Sequence, residues 1–323
     1  MAPKSLSRRR FLVQASAVGA TALTGALSSH VASETRAGPP TSDPRWQIGF
    51  FTRPWANFDY HAVFDAIAEA GVKYVGTMTA AVKRAPTEAL DSWDSRVIVS
   101  YRDPLDQAVR VGEEARKRGL EILSFYGGKI KARKRETIVA DLRHLIDLAA
   151  AAGAKNVLLS GVEKKEEYDD YYGAVAACCD HAAEKKVGLT LKPHGGLNAT
   201  GPQLRQAVQK VNHKSFTVWY DAGNILWYSG GKVDPVEDVT TVDGLVSGWC
   251  IKDYRHPKNV EITPGTGQVD FRTVFAKLNQ GGFTGGPLLI ETLVPGPGGL
   301  PHLLAEAKKA RQFVEALVEG KQD

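Results

Sequence analysis

From Trp46 onward one phrase recurs along the chain: an amphipathic stretch with helical spacing, a short break often containing Gly, then an apolar run of four to six residues ending in polar ones. The apolar runs occupy 47–51, 72–76, 120–125, 156–160, 188–192, 216–220, 246–251 and 287–291. Helical spacing marks 60–70, 104–118, 135–152, 171–186, 202–211 and 271–280, with 303–317 closing the chain. Strands alternating with helices imply a parallel sheet. Eight such units in about 275 residues match the size of a (β/α)8 TIM barrel, an α/β fold. An open doubly wound sheet is the alternative, because strand order cannot be read from one sequence. The segment after the first run, Phe51-Thr52-Arg53-Pro54-Trp55, lacks the Gly-rich turn that a dinucleotide-binding sheet would carry there.

Composition leaves this picture intact: 43% hydrophobic and 24% charged residues in 323 are ordinary for a globular protein and sufficient for a large core. Charge changes it at one end. Of the formal +5, Lys4, Arg8, Arg9, Arg10 and Arg36 against Glu34 place +4 in the first 37 residues. The remainder is nearly neutral, so no nucleic-acid partner is expected. The charge runs at 129–135 and 163–167 read as solvated faces or loops.

The basic end has an order of its own. Ser7-Arg8-Arg9-Arg10-Phe11-Leu12 precedes an uncharged Ala/Gly-rich stretch from 13 to 29, too short and too weakly apolar to span a membrane. This is the pattern of a twin-arginine signal. Residues 1–37 are therefore expected to be a signal peptide and linker, with cleavage near Val31-Ala32-Ser33 or Arg36-Ala37, and 38–323 a single barrel domain. The twin-arginine translocation machinery is the implied partner, and the product is expected in the periplasm or outside the cell, without stable membrane insertion. Cys178 and Cys179 are adjacent on a helix and Cys250 ends a strand, so no disulfide framework is implied.

Chemistry in such a barrel sits where the strands end. The fifth run ends Lys192-Pro193-His194-Gly195-Gly196, the sixth Tyr220-Asp221-Ala222-Gly223-Asn224, the seventh Cys250-Ile251-Lys252-Asp253 and the eighth Glu291-Thr292. Together with Pro264-Gly265-Thr266-Gly267-Gln268-Val269-Asp270-Phe271, these phrases resemble the xylose-isomerase-like family of sugar isomerases and epimerases over most of 46–320. The resemblance implies one divalent metal ion (Mn, Mg or Zn) on a Glu, an Asp, a His and a Glu. Those positions fall here on Lys192, Asp221, Cys250 and Glu291, so two of the four ligands have changed.

Two arrangements follow. In the first, Lys192 bridges Asp221 and Glu291 in place of the metal, since an ammonium with two carboxylates carries the same net charge as a divalent ion with three. In the second, the metal stays on His194, Asp221 and Glu291. Cys250 is then either a soft fourth ligand or a small core residue. A sugar or keto-sugar substrate would lose a proton next to its carbonyl, with Glu291 the expected base and Lys192 and His194 as further catalytic groups. Asn224, Lys252, Asp253, Arg53 and Tyr126, with Ser160, are placed to bind substrate hydroxyls, Lys252 and Asp253 also being a candidate ion pair. A keto-sugar lyase or dehydratase, or a non-catalytic sugar-binding barrel, would use the same residues. An AP-endonuclease relative requires three zinc ions and many His ligands, whereas His61, His144, His181, His213, His256 and His302 mostly lie off the strand ends.

Overall fold

A computed structural model describes residues 45–79, 98–128, 130 and 134–321. The expected signal peptide, its cleavage site and most of the 129–135 charge run lie outside the described residues. Eight strands, β1 (Trp46–Phe51), β2 (Tyr74–Met78), β3 (Glu121–Gly128), β4 (Asn156–Leu159), β5 (Gly188–Leu191), β6 (Phe216–Tyr220), β7 (Val246–Ile251) and β8 (Gly286–Ile290), form a closed parallel barrel in sequence order. Pairing of β1 with β8, from Trp46 opposite Gly286 to Phe50 opposite Ile290, closes the ring. This settles the choice against an open sheet.

The helices outside the barrel are those whose apolar residues recur every three or four positions. In α2 (Leu105–Lys117), after α1 (Tyr60–Glu69), the buried face is Ala108, Val111, Gly112 and Ala115. In α3 (Arg135–Ala152) it runs through Ile138, Leu142, Leu145, Ile146, Ala149 and Ala152. The next helix, α4 (Lys165–Glu184), starts six residues before its apolar spacing begins, because its first turn, with Glu166 and Glu167, faces solvent. A capping box of Thr200 and Gln203 opens α5 (Gly201–Val211).

Between β6 and β7 the chain forms α6 (Ala222–Ser229) and α7 (Pro235–Asp238), where hydrophobic spacing marks no helix. Ile225, Leu226 and Trp227 are consecutive there and carry no helical period. The last helices, α8 (Phe271–Gln280) and α9 (Gly299–Val318), complete the outer ring.

Inside the barrel, Phe51, Leu123, Leu158, Trp219, Cys250 and Leu289 form one apolar layer, with Tyr74, Met78 and Tyr126 packed against it. Side chains alternate along a strand, so the residues two positions further on, Ser160, Asp221, Lys252 and Glu291, rise from this layer toward the C-terminal mouth, and Arg53 joins them from the 3-10 turn that follows β1. The apolar layer is the floor on which the charged groups stand.

Candidate active site

Lys192 follows the last residue of β5 and is fully buried, as is Asp221 at the end of β6. The Lys192 Nζ lies 2.9 Å from Asp221 Oδ2 and donates to Glu291 Oε2. From β7, Lys252 Nζ donates to Glu291 Oε1 at 2.8 Å and to Asn224 Oδ1 at 3.1 Å, and it stands 3.4 Å from Asp221 Oδ2. Arg53 donates to Glu291 Oε1 at 3.0 Å and also pairs with Glu261. Four strand ends and the turn after β1 thus meet in one ion cluster.

Local structure explains this convergence. Asp221 is the N-cap of α6, its Oδ1 accepting from Asn224 N at 2.8 Å, which turns Oδ2 toward the lysines. Asn224 Nδ2 donates to Pro193 O at 2.7 Å, tying α6 to the turn after β5, while its Oδ1 holds Lys252. Gly223 permits the approach: a Cβ there would lie 2.6 Å from Lys252 O. Asn224 is therefore spent on positioning Lys252.

Electrostatics separates the two lysines. Burial opposes the charge on Lys192, yet Asp221, Cys250 and Glu291 hold its pKa well above the ordinary lysine value. Burial pulls Lys252 below that value; Asp221 and Glu291 resist, while Lys192 and Arg53 add to the depression. Burial also opposes the Glu291 charge, but Lys192, Lys252 and Arg53 hold its carboxyl well below the usual range. A carboxylate so stabilised is a weak base, which argues against the role expected for Glu291.

The divalent metal of the family can be tested against these residues. The ligand atoms of Asp221, Cys250 and Glu291 lie within 4.8 Å of one another, so a nucleus of a metal site is present. The Lys192 ammonium, however, already contacts both carboxylates. Three cations against two carboxylates leave the cluster at +1, and counting Glu261 only brings it to neutral. Asp221 Oδ2 is the one carboxylate oxygen of the pair that accepts no aligned hydrogen bond, and it faces two ammonium groups. A dication added to this buried set would have no uncompensated anion to offset its desolvation, so the residues present do not fit the metal.

Other expected site residues fall elsewhere. His194 is outside the Asp221–Cys250–Glu291 group, and β5 ends at Leu191, three residues before it. Its Nδ1 instead lies 3.2 Å from the Tyr228 hydroxyl, and its ring is 6.2 Å from that of Tyr126. Lys192 Nζ sits 5.6 Å from the centroid of the same Tyr126 ring. Burial pushes the Tyr126 hydroxyl up and that of Tyr228 up to about 12, so both are proton donors at neutral pH. Cys250 belongs to the apolar floor, its thiol pushed up by burial.

Asp253 forms no ion pair with Lys252. Its carboxylate accepts from the backbone N of Gly265 (3.0 Å), Gly267 (2.7 Å), Val269 (3.1 Å) and Tyr254 (2.7 Å), folding the loop after β7. Gly267 allows this, since a Cβ there would lie 2.3 Å from Asp253 Oδ1. Two residues escaped the sequence reading, Glu261 and Tyr228. The first is an exposed loop residue without a motif, and the second sits on the helix that hydrophobic spacing does not reveal.

A closed parallel barrel with polar groups of several strands gathered at its C-terminal mouth defines a (β/α)8 barrel of the enzyme type. A family profile described as "Xylose isomerase-like TIM barrel" matches residues 64–317, and the chain belongs to that family. No curated protein matches the sequence.

Solved structures do match. A D-psicose 3-epimerase crystallised in the presence of D-fructose aligns with a TM-score of 0.65 at 12% identity, covering 84% of this chain and 99% of its own. A xylose isomerase domain protein from Planctomyces limnophilus gives 0.62 at 18% identity over 86% and 97%. A probable 3-DHS dehydratase from Bacillus anthracis, AsbF, gives 0.60 at 14% identity over 81% and 97%. At these identities the likeness establishes the fold.

Proposed function

We propose that this protein is a sugar isomerase or epimerase that works without a bound metal, the place of the ion being taken by the Lys192 ammonium. The observation that carries this reading is the contact of Lys192 with both Asp221 and Glu291. Family membership and epimerase neighbours support the reaction class. In such a reaction the C–H bond next to a carbonyl breaks, its electron pair forms the C=C of an enediolate, and the carbonyl oxygen becomes anionic. Arg53, whose side chain is 20% exposed, is the cation a bound keto sugar meets first, with Lys192 and Lys252 beneath it. These three charges stabilise the oxyanion.

The proton needs a carrier. Glu291 is held too acidic for this, whereas His194 stands at the rim beside Tyr126 and Tyr228, and imidazole exchanges protons near neutrality. His194 takes the proton from carbon. Returning it to the neighbouring carbon, while the hydroxyl proton of the enediolate passes to the former carbonyl oxygen, gives an isomer; protonation of the same carbon from the other face, by a group other than His194, gives an epimer.

The test is solvent exchange. After exhaustive chelation, incubation with D-fructose or D-psicose in D2O should give deuterium at carbon by NMR, and His194→Gln should slow it by about 100-fold. Exchange that stops on chelation and returns with added metal would overturn the reading. A second reading, a sugar-binding barrel without catalysis, is favoured by the complete burial of Lys192 and Asp221. Sugar binding without exchange in the wild type would select it.

We also propose export through the twin-arginine machinery, on the strength of Ser7 to Leu12. The substrate would then be a free or oxidised sugar. Arg8→Lys with Arg9→Lys and Arg10→Lys should retain the protein in the cytoplasm, and unchanged export of that variant would refute the proposal.

A further inference from the structure

We propose that the N-terminal mouth of the barrel is a second binding site, for a small polyhydroxylated oxyanion such as a sugar acid. A cavity of about 360 Å³ opens at this end, within the roughly 300–1,000 Å³ range of small-molecule sites. Its inner wall is Leu123 and Trp219, members of the apolar layer that separates it from the ion cluster above. The two sites are thus on opposite sides of one floor.

The polar lining points to a ligand. Asn156, 6% exposed, donates through Nδ2 to Ser124 Oγ at 3.2 Å and Thr190 Oγ1 at 2.9 Å, while its Oδ1 has no partner. A buried amide end left unpaired is costly, and a ligand hydroxyl would satisfy it. Gly188 leaves the space: a Cβ there would sit 3.3 Å from Asn156 Oδ1. Thr217 and Ser247, whose hydroxyls are 2.6 Å apart, add a paired donor and acceptor on the same wall.

Charge selects the ligand class. Lys155 and Lys214 precede β4 and β6 and line the cavity on either side of the start of β5. Among the described residues neither ammonium has an acidic partner, and none of the described residues lining the cavity is acidic. Two uncompensated cations above hydroxyls and an amide suit a carboxylate or phosphate carried on a polyol. Both lysines are exposed beside the cavity, so an anion gains their attraction and a neutral sugar does not.

Calorimetric titration of the full chain with D-gluconate, D-glucose 6-phosphate and D-glucose tests this. One equivalent of gluconate should bind, and glucose at least tenfold more weakly. Tighter binding of the phosphate than of gluconate would identify the source of the oxyanion as a sugar phosphate. Lys155→Gln with Lys214→Gln should weaken the anion at least tenfold, and Gly188→Ala, which narrows the approach to Asn156, should weaken it too. Arg53→Gln, at the opposite mouth, should remove only additional binding at the candidate active site and leave this equivalent in place. No binding of either anion, equal binding of glucose, or anion binding lost with Arg53→Gln but kept in the lysine double variant would overturn the proposal.

Discussion

Lys192 Nζ stands 2.9 Å from Asp221 Oδ2 with neither side chain exposed to solvent. Because this ammonium also contacts Glu291, it ties the ends of β5, β6 and β8 into one electrostatic unit. Removing it should be far more harmful than removing a surface charge. Lys192→Met takes from both buried carboxylates their nearest cation and should lower unfolding free energy by about 3–5 kcal/mol in chemical denaturation. A loss below about 1 kcal/mol, the value of an exposed pair, would show the cluster to be solvated in solution.

The same cluster sets the pH dependence of stability. The pKa of Glu291 is depressed in the folded state, so its contribution is complete above the unfolded value of about 4.3 and lost as pH falls through the lower folded value. Lys192 is shifted up, so its contribution is complete below the unfolded value of about 10.4 and lost as pH rises toward the higher folded one. Urea midpoints should therefore decline below pH 4 and above about pH 10.4. In Lys192→Met the alkaline decline should become shallower, and an unchanged alkaline limb would assign it to another group.

Asp253 makes a different prediction, because its carboxylate is surrounded by backbone N–H groups. Asp253→Ala leaves the amides of Tyr254, Gly265, Gly267 and Val269 without their acceptor and should cost at least about 2 kcal/mol. Hydrogen exchange should accelerate at Gly265, Gly267 and Val269 while the strands stay protected. Loss of substrate affinity with unchanged exchange would restore a substrate-contacting role.

The barrel was legible because each of its strands is a short apolar run with a polar end, and β6 and β7 fall where the pattern places them. The convergence of Lys192, Asp221, Lys252 and Glu291 was legible from strand order and alternation. The orientation of individual groups was not. Asp253 and Lys252 are neighbours in sequence but point to opposite sides of a strand end, one into a loop and the other into the barrel. His194 is two residues beyond Lys192, and only a continued strand would have kept them on one face; the strand stops at Leu191. The pairing of Arg53 with Glu261 depends on how the long segment after β7 folds back, which no local pattern records.

The central claim is that the ammonium of Lys192 excludes the family's metal, and its most direct test is calorimetric titration of chelated protein with Mn2+ and Zn2+. The wild type should bind no stoichiometric ion, whereas Lys192→Glu, which puts a carboxylate beside Asp221 and Glu291, should gain one site per chain. One equivalent bound by the wild type and lost in Asp221→Asn would contradict the account.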